Sequence, residues 1–244
     1  DQGFQRHLSE GSYNGVLDPS VMINDVNYWL NLYLDKKEKN TTHSIMTARE
    51  ASTLINGGKI RDYEQDRFIA DHITENDYLV ISVGGNDVAM DPSRKTITAL
   101  TAIFTKDKKS KEYHESVNYF ISFFKNNIEK YIKKLTINHK PKKVLVAMPY
   151  FPDMSYTKTW AVVLDRIYYK QYPYTLQNLM KTIYEKALKE IKVEGIKIIP
   201  VAFYDILDGK DTHDYINAVE PSVQGGRKLA QFILEKLNLK KIEV

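Results

Sequence analysis

Nearly continuous apolar stretches alternate along this chain with segments whose apolar residues recur every three or four positions. The apolar stretches at residues 78–83, 144–148 and 196–203 are typical of strands that are covered on both faces of a sheet. The periodic segments are typical of helices with one buried face. These predicted helices cover residues 25–34, 48–55, 67–73, 95–106, 113–135, 176–191 and 223–237.

This alternation predicts an α/β fold, in which helices cover a mainly parallel central sheet on both faces as a three-layer α/β/α sandwich. We expect a single domain over residues 1–244, with residues 1–13 as an extended N-terminal segment. Residues 43–46 are a weaker strand candidate, and the glycines after Asn56 are expected to end the helix at 48–55. In such sheets ligands bind beyond the carboxyl ends of the strands.

Composition narrows the class of protein. Hydrophobic residues make up 43% and charged residues 27% of the 244 positions, which excludes a disordered or membrane-spanning chain. The formal net charge of +4 is too small to favour a nucleic-acid partner. Cysteine is absent, so disulfides, thiolate metal sites and cysteine nucleophiles are excluded. No metal-ligand spacing and no Gly-x-Gly-x-x-Gly motif occurs, so we predict neither a metal nor a nucleotide cofactor.

The most informative polar segment follows the first predicted strand and reads Gly84-Gly85-Asn86-Asp87. Two glycines allow the backbone to turn sharply and to approach a ligand closely. The Asn86 amide could donate to a developing oxyanion, and Asp87 could cap the turn or the next helix. An ordinary turn with a side-chain hydrogen bond explains the same four residues.

Three segments in chain order resemble the blocks of the SGNH (GDSL) hydrolases. They are Asp18-Pro19-Ser20, Gly84–Asp87, and Glu220-Pro221-Ser222 followed by Gly225-Gly226. That family comprises esterases, lipases and carbohydrate acetyl-esterases with a flavodoxin-like α/β/α sandwich. The resemblance implies that Ser20 is the nucleophile and Asn86 an oxyanion donor. It also implies that both converge with Glu220 near the carboxyl ends of the strands.

The first two blocks depart from the family pattern. Only Val16-Leu17 stands where the nucleophile is preceded by a buried strand. In an alternative interpretation, Asp1-Gln2-Gly3 resembles the Asp-x-Gly that follows the nucleophile, which then lies upstream of this sequence. The glycine of the second block is missing, and Met46 or Thr47 occupies about its position.

The last block departs further, because Glu220 and Asn217 stand where the family has its histidine and its acid. A carboxylate is a weak base towards a serine hydroxyl unless burial raises its pKa. His213, which two aspartates flank, is the alternative base, although an exposed loop histidine is the favoured interpretation of this residue. His43, near the second block, is a weaker candidate for the same role of base.

These observations leave three hypotheses. The first is an SGNH-type ester hydrolase with a rewired site and weak or lost activity. The alternative is a non-catalytic binding or structural protein on the same fold, and the third is an unrelated α/β protein. Candidate partners are an ester, an acylated small molecule or carbohydrate, or another protein. The aromatic residues between 150 and 174 either line such a pocket or pack in the core.

Overall fold

The computed structural model describes residues 24–35, 42–49, 51–157, 159 and 161–239. Contacts between residues divide the chain into two compact units. The sheet unit comprises residues 47–149 and 161–202, and the terminal unit comprises residues 1–46, 150–160 and 203–244. The single domain expected over the whole chain stays a prediction.

Helices and strands follow one another along the described part of the chain, in places with two or three of the same kind in succession. They are α1 (Val26–Asp35), β1 (Ile55–Asn56), β2 (Lys59–Ile60), α2 (Glu64–His72), β3 (Tyr78–Ile81), α3 (Asn86–Ala89), α4 (Arg94–Thr105), α5 (Lys111–Leu135), β4 (Lys143–Met148), α6 (Val162–Arg166), α7 (Pro173–Lys186), β5 (Ile198–Ala202), β6 (Tyr215–Ile216), β7 (Glu220–Pro221) and α8 (Val223–Leu237). Single 3₁₀ turns lie at Leu188–Glu190, Phe203–Asp205 and Thr212–Asp214.

The sheet unit contains a parallel sheet with strand order β3-β4-β5, which confirms the predicted α/β class and the three predicted strands. Val144 of the central strand pairs with Leu79 on one side and with Ile198 on the other. Residues 144–148 are all buried, as their unbroken apolar sequence indicates for a strand covered on both faces. The buried side chains of α5 recur mostly every four residues and therefore form one stripe.

The predicted helix at residues 48–55 is wrong. No helix occurs among the described residues of this range, and the segment ends instead in the antiparallel hairpin β1–β2. Gly57 and Gly58 form its two-residue turn with φ of +55° and +77°. Such a turn requires two left-handed residues, which the pair Gly-Gly supplies. Residues 43–46, the weaker strand candidate, form no strand.

The terminal unit is built on the packing of α1 against α8. Tyr33 and Leu34 are buried against Ala230 and Leu234, so both helices bury the apolar stripe that their sequences predict. Asp25 Oδ1 caps the start of α1 by accepting a hydrogen bond from the Tyr28 N–H at 2.7 Å. None of the helices in the described ranges is both long enough and apolar enough to cross a bilayer.

Candidate functional site

The loop after β3 requires glycine at its third residue, Gly84. Gly84 has φ of +94°, and a β-carbon there would lie 2.7 Å from Cε1 of Phe124. Left-handed backbone and close approach thus both require Gly84. The loop turns directly into the short helix α3, which begins at Asn86. The sequence therefore places Asn86 beyond the carboxyl end of a parallel strand, where ligands of such sheets bind.

Asn86 is held by one hydrogen bond to the backbone. Its Nδ2 donates to the Ser52 carbonyl at 3.0 Å, and the side chain is half-buried. An amide nitrogen carries two hydrogens, so this contact uses one of them. The second hydrogen suits the oxyanion-donor role that the resemblance implies.

Asp87 does not cap its own helix but fastens a distant segment to the loop. Its buried carboxylate accepts hydrogen bonds from the backbone N–H groups of Leu54 at 2.7 Å and Ile55 at 2.9 Å. Burial raises the pKa of Asp87, and the two N–H donors offset only part of that effect. The segment at 52–55, rather than the exposed Met46, is thus the one held against the loop.

Ser52 is fixed in turn by a buried ion pair that the sequence did not reveal. Arg61 Nη1 donates to Ser52 Oγ at 2.6 Å, while its Nε and Nη2 bind both oxygens of Asp66 at 3.1 and 2.9 Å. The Tyr131 hydroxyl also donates to Asp66, at 2.7 Å. The one signal in the sequence is Asp66 at the third position of α2, where an acid pairs with the backbone before the helix.

In the terminal unit, His213 is exposed but oriented. Its Nδ1 lies 3.0 Å from Oδ1 of Asp211, and its backbone N–H donates to the same oxygen at 3.1 Å. These bonds to His213 hold the pKa of Asp211 below its usual range. The His213 side chain is 88% exposed, and its Nε2 has no hydrogen-bond partner in the described ranges. A carboxylate on Nδ1 with Nε2 open to solvent is the arrangement of an oriented general base.

Glu220 lies in the hairpin of β6 and β7, opposite Ile216. Its charge adds to burial in raising the pKa of Tyr150, whose hydroxyl donates to the Val219 carbonyl at 2.6 Å. Asn217 occupies the loop of this hairpin in the left-handed region, with φ of +51°. This conformation suits asparagine better than most residues, which gives Asn217 a structural reason to be there.

The predicted site residues fall in both units. Asn86 belongs to the sheet unit, while Glu220 and His213 belong to the terminal unit, and Ser20 lies outside the described residues. Their convergence therefore stays a prediction. His43 is exposed, with Nδ1 3.7 Å from Oδ1 of Asp35.

No group of three histidine or acidic side chains that could hold a metal ion occurs in the part of the chain that the structure describes. Comparison with known proteins found no matching family model, no matching curated protein and no matching solved structure.

Proposed function

We propose that this chain is a divergent ester hydrolase of the SGNH type, built as a three-layer α/β/α sandwich and slow in turnover. The observation that carries the proposal is the contact of Asp211 with Nδ1 of His213, 3.0 Å long. This contact supplies the oriented imidazole that the substitutions at Asn217 and Glu220 had removed from the family pattern. The loop around Asn86 supports the proposal independently.

The roles follow from these contacts. Ser20 Oγ attacks the ester carbonyl and passes its proton to Nε2 of His213, which then protonates the leaving alcohol. Asp211 keeps the hydrogen on Nδ1 and stabilises the imidazolium that forms. Water repeats the cycle on the acyl-enzyme and releases the acid. Asn86 keeps the oxyanion-donor role that the family pattern assigns to it.

Exposure explains why we expect slow turnover. The His213 side chain is 88% exposed, and the carboxylate of Asp211 is solvated as well. Water weakens the electrostatic stabilisation that a closed site provides. The expected substrates are esters of small acyl groups, including acylated carbohydrates.

Ester hydrolysis tests the proposal on the wild type, Ser20→Ala and His213→Ala, with p-nitrophenyl acetate and butyrate. We expect slow hydrolysis that disappears in Ser20→Ala and falls by at least ~100-fold in His213→Ala, because a general base contributes that much or more. His139→Ala is the matched control, since it removes another exposed histidine and should keep the wild-type rate.

Two outcomes would contradict these assignments. A rate unchanged in His213→Ala would exclude His213 as the base, and a further loss in Glu220→Gln would then assign the base to Glu220. No hydrolysis by a folded wild type would favour the alternative of a non-catalytic binding protein. The observation that favours that alternative is the replacement of both usual residues, at Asn217 and Glu220.

A further inference from the structure

We propose that Gln224 is a positioning residue for the base, which rests on the proposed role of the Asp211–His213 pair. Gln224 Nε2 donates to Oδ2 of Asp211 at 3.2 Å, while Oδ1 of the same carboxylate faces His213. The two carboxylate oxygens of Asp211 thus have different partners. One holds the imidazole, and the other holds helix α8.

Gln224 is itself anchored by a second aspartate. Its Nε2 lies 2.8 Å from Oδ1 of Asp214, whose side chain is only 4% exposed. Lys228 also contacts both carboxylates, at 2.7 Å from Asp214 and 3.6 Å from Asp211. Gln224 and Lys228 are four residues apart on α8 and therefore share one face of the helix.

The backbone around His213 is tied to the same helix. Ser222 Oγ donates to the His213 carbonyl and accepts a hydrogen bond from the Gly225 N–H at 3.2 Å. The Ser222 N–H donates to the Asp214 carbonyl at 2.9 Å. The main chain at His213 and the carboxylate of Asp211 are thus both hydrogen-bonded to residues at the start of α8. The position of the imidazole therefore depends on the first turn of that helix.

The chemical consequence concerns which nitrogen of the neutral imidazole carries the hydrogen. A free histidine side chain favours hydrogen on Nε2, which leaves Nε2 unable to accept a proton. Asp211 accepts from Nδ1–H and so favours the opposite tautomer, with the lone pair on Nε2. Gln224 stabilises this tautomer, because its bond to Oδ2 keeps Oδ1 directed at the ring.

Nitrogen-15 NMR of the His213 ring tests this inference without any substrate. The variant is Gln224→Met, which keeps the length of the side chain and removes the donor. Gln231→Met is the matched control, since Gln231 lies on the same helix and donates to the Tyr33 hydroxyl at 3.1 Å instead.

In the wild type we expect the neutral ring to carry its hydrogen on Nδ1. In Gln224→Met the Nε2–H tautomer should become the major form, and Gln231→Met should resemble the wild type. An unchanged tautomer in Gln224→Met would overturn the inference, and so would an equal change in both variants. A wild type with hydrogen on Nε2 would overturn it too.

The same samples separate this inference from the proposed function. If the tautomer responds as expected but no variant or wild type hydrolyses esters, Gln224 positions His213 and the hydrolase proposal fails. If esters are hydrolysed and the His213 tautomer is the same in the wild type and in Gln224→Met, the hydrolase proposal stands and the positioning role of Gln224 is excluded.

Discussion

Asp66 and Asp87 show how the partners of a buried carboxylate decide the direction in which its pKa shifts. Both lie in the sheet unit, 1% and 5% exposed. Burial raises the pKa of each, but Asp66 also meets Arg61, the Tyr63 N–H and the Tyr131 hydroxyl, which together lower its pKa overall. The hydrogen-bond donors to Asp87 are neutral backbone N–H groups, and the charge of Asp91 adds to burial, so the pKa of Asp87 is raised. A positively charged partner thus compensates the buried carboxylate for the water that it loses on folding, whereas the neutral donors at Asp87 do not.

Asp66→Asn should lower the free energy of unfolding by about 3–5 kcal/mol, because it leaves the charge of Arg61 buried without its counter-ion. Urea denaturation at neutral pH measures this change. The matched control is Asp62→Asn, which breaks an exposed pair with Arg67 and a pair with the half-buried Lys134, and which should change stability little because Asp62 is solvated. A similar loss in both variants would contradict a special role for burial.

The lowered pKa of Asp66 also predicts a pH dependence. Its stabilisation is complete above the ordinary carboxyl pKa of about 4 and is lost as the pH falls through the lowered value. As the pH falls below about 4, the wild type should therefore lose stability more steeply than Asp66→Asn. Parallel acid titrations of stability in the two proteins would contradict this assignment.

For Asp87, the pH dependence of stability should have the opposite sign. Because its pKa is raised, the folded state binds the proton more tightly, and its contribution to stability falls as the pH rises through the raised pKa. The wild type should thus lose stability relative to Asp87→Asn as the pH rises above about 4. The measured quantity is the difference in unfolding free energy, and a pH-independent difference would refute the prediction.

The adjacent glycines of α8, Gly225 and Gly226, differ in how much space surrounds them. A β-carbon at Gly225 would lie 2.2 Å from the Asp214 carbonyl oxygen, whereas one at Gly226 would meet no atom closer than 3.6 Å. Gly225→Ala should therefore cost about 1–3 kcal/mol through overpacking. Gly226→Ala should be neutral or stabilise by up to about 1 kcal/mol, since alanine favours a helix. Equal effects in thermal or urea denaturation would contradict the close approach of α8 to Asp214.

At the scale of elements, the turn of the hairpin β1–β2 favours glycine because of its backbone conformation and not because of crowding. A β-carbon at Gly57 or Gly58 would have open space around it, but both residues are left-handed. Gly58→Ala should cost about 1–2 kcal/mol, while Gly57→Asn should be nearly neutral, because asparagine tolerates this conformation. Hydrogen exchange of the Arg61 N–H, which donates to the Leu54 carbonyl, reports on the hairpin directly. Equal protection in both variants would contradict a conformational cause.

Strong periodicity made most elements predictable from the sequence, and turn chemistry explains the main failure. The closing helix occurs at residues 223–237 as predicted, and β4 begins one residue before the predicted strand. Apolar spacing at 48–55 resembled a helix, but Gly57-Gly58 forms a hairpin turn instead of a helix end. A short segment carries too few turns of periodicity to outweigh a turn signal.

The candidate site was predictable only where neighbours in sequence form it. The loop after β3 and the aspartate beside His213 are local, and both were singled out from the sequence. The Tyr131–Asp66 bond joins residues 65 positions apart, and the Asp87–Leu54 bond joins residues 33 apart. Neither pair has a spacing that a helix or strand would impose, so only the tertiary fold reveals them.

At the scale of the whole molecule, the polar residues that could carry chemistry are divided between the two units. The sheet unit holds Asn86 at the turn after β3, and the terminal unit holds His213 on the carboxylate of Asp211, which Gln224 of α8 contacts. Each arrangement is stabilised by its own hydrogen bonds. A test of function must therefore use the complete chain and report on the serine itself rather than on either unit alone.

A fluorophosphonate probe provides that test, because it accumulates on a slow nucleophile. The serine oxygen attacks phosphorus, fluoride leaves, and the hydroxyl proton passes to the base, so that labelling does not require turnover. We expect slow labelling of the wild type at Ser20, located by mass spectrometry of the peptides. Ser20→Ala should not be labelled, and His213→Ala should be labelled at least ~100-fold more slowly. Ser155→Ala, which removes an exposed serine, should be labelled like the wild type. Labelling at another serine would move the nucleophile away from Ser20. Complete absence of labelling in a folded wild type would exclude serine chemistry and leave a binding protein, because the probe needs neither a particular acyl group nor a second step.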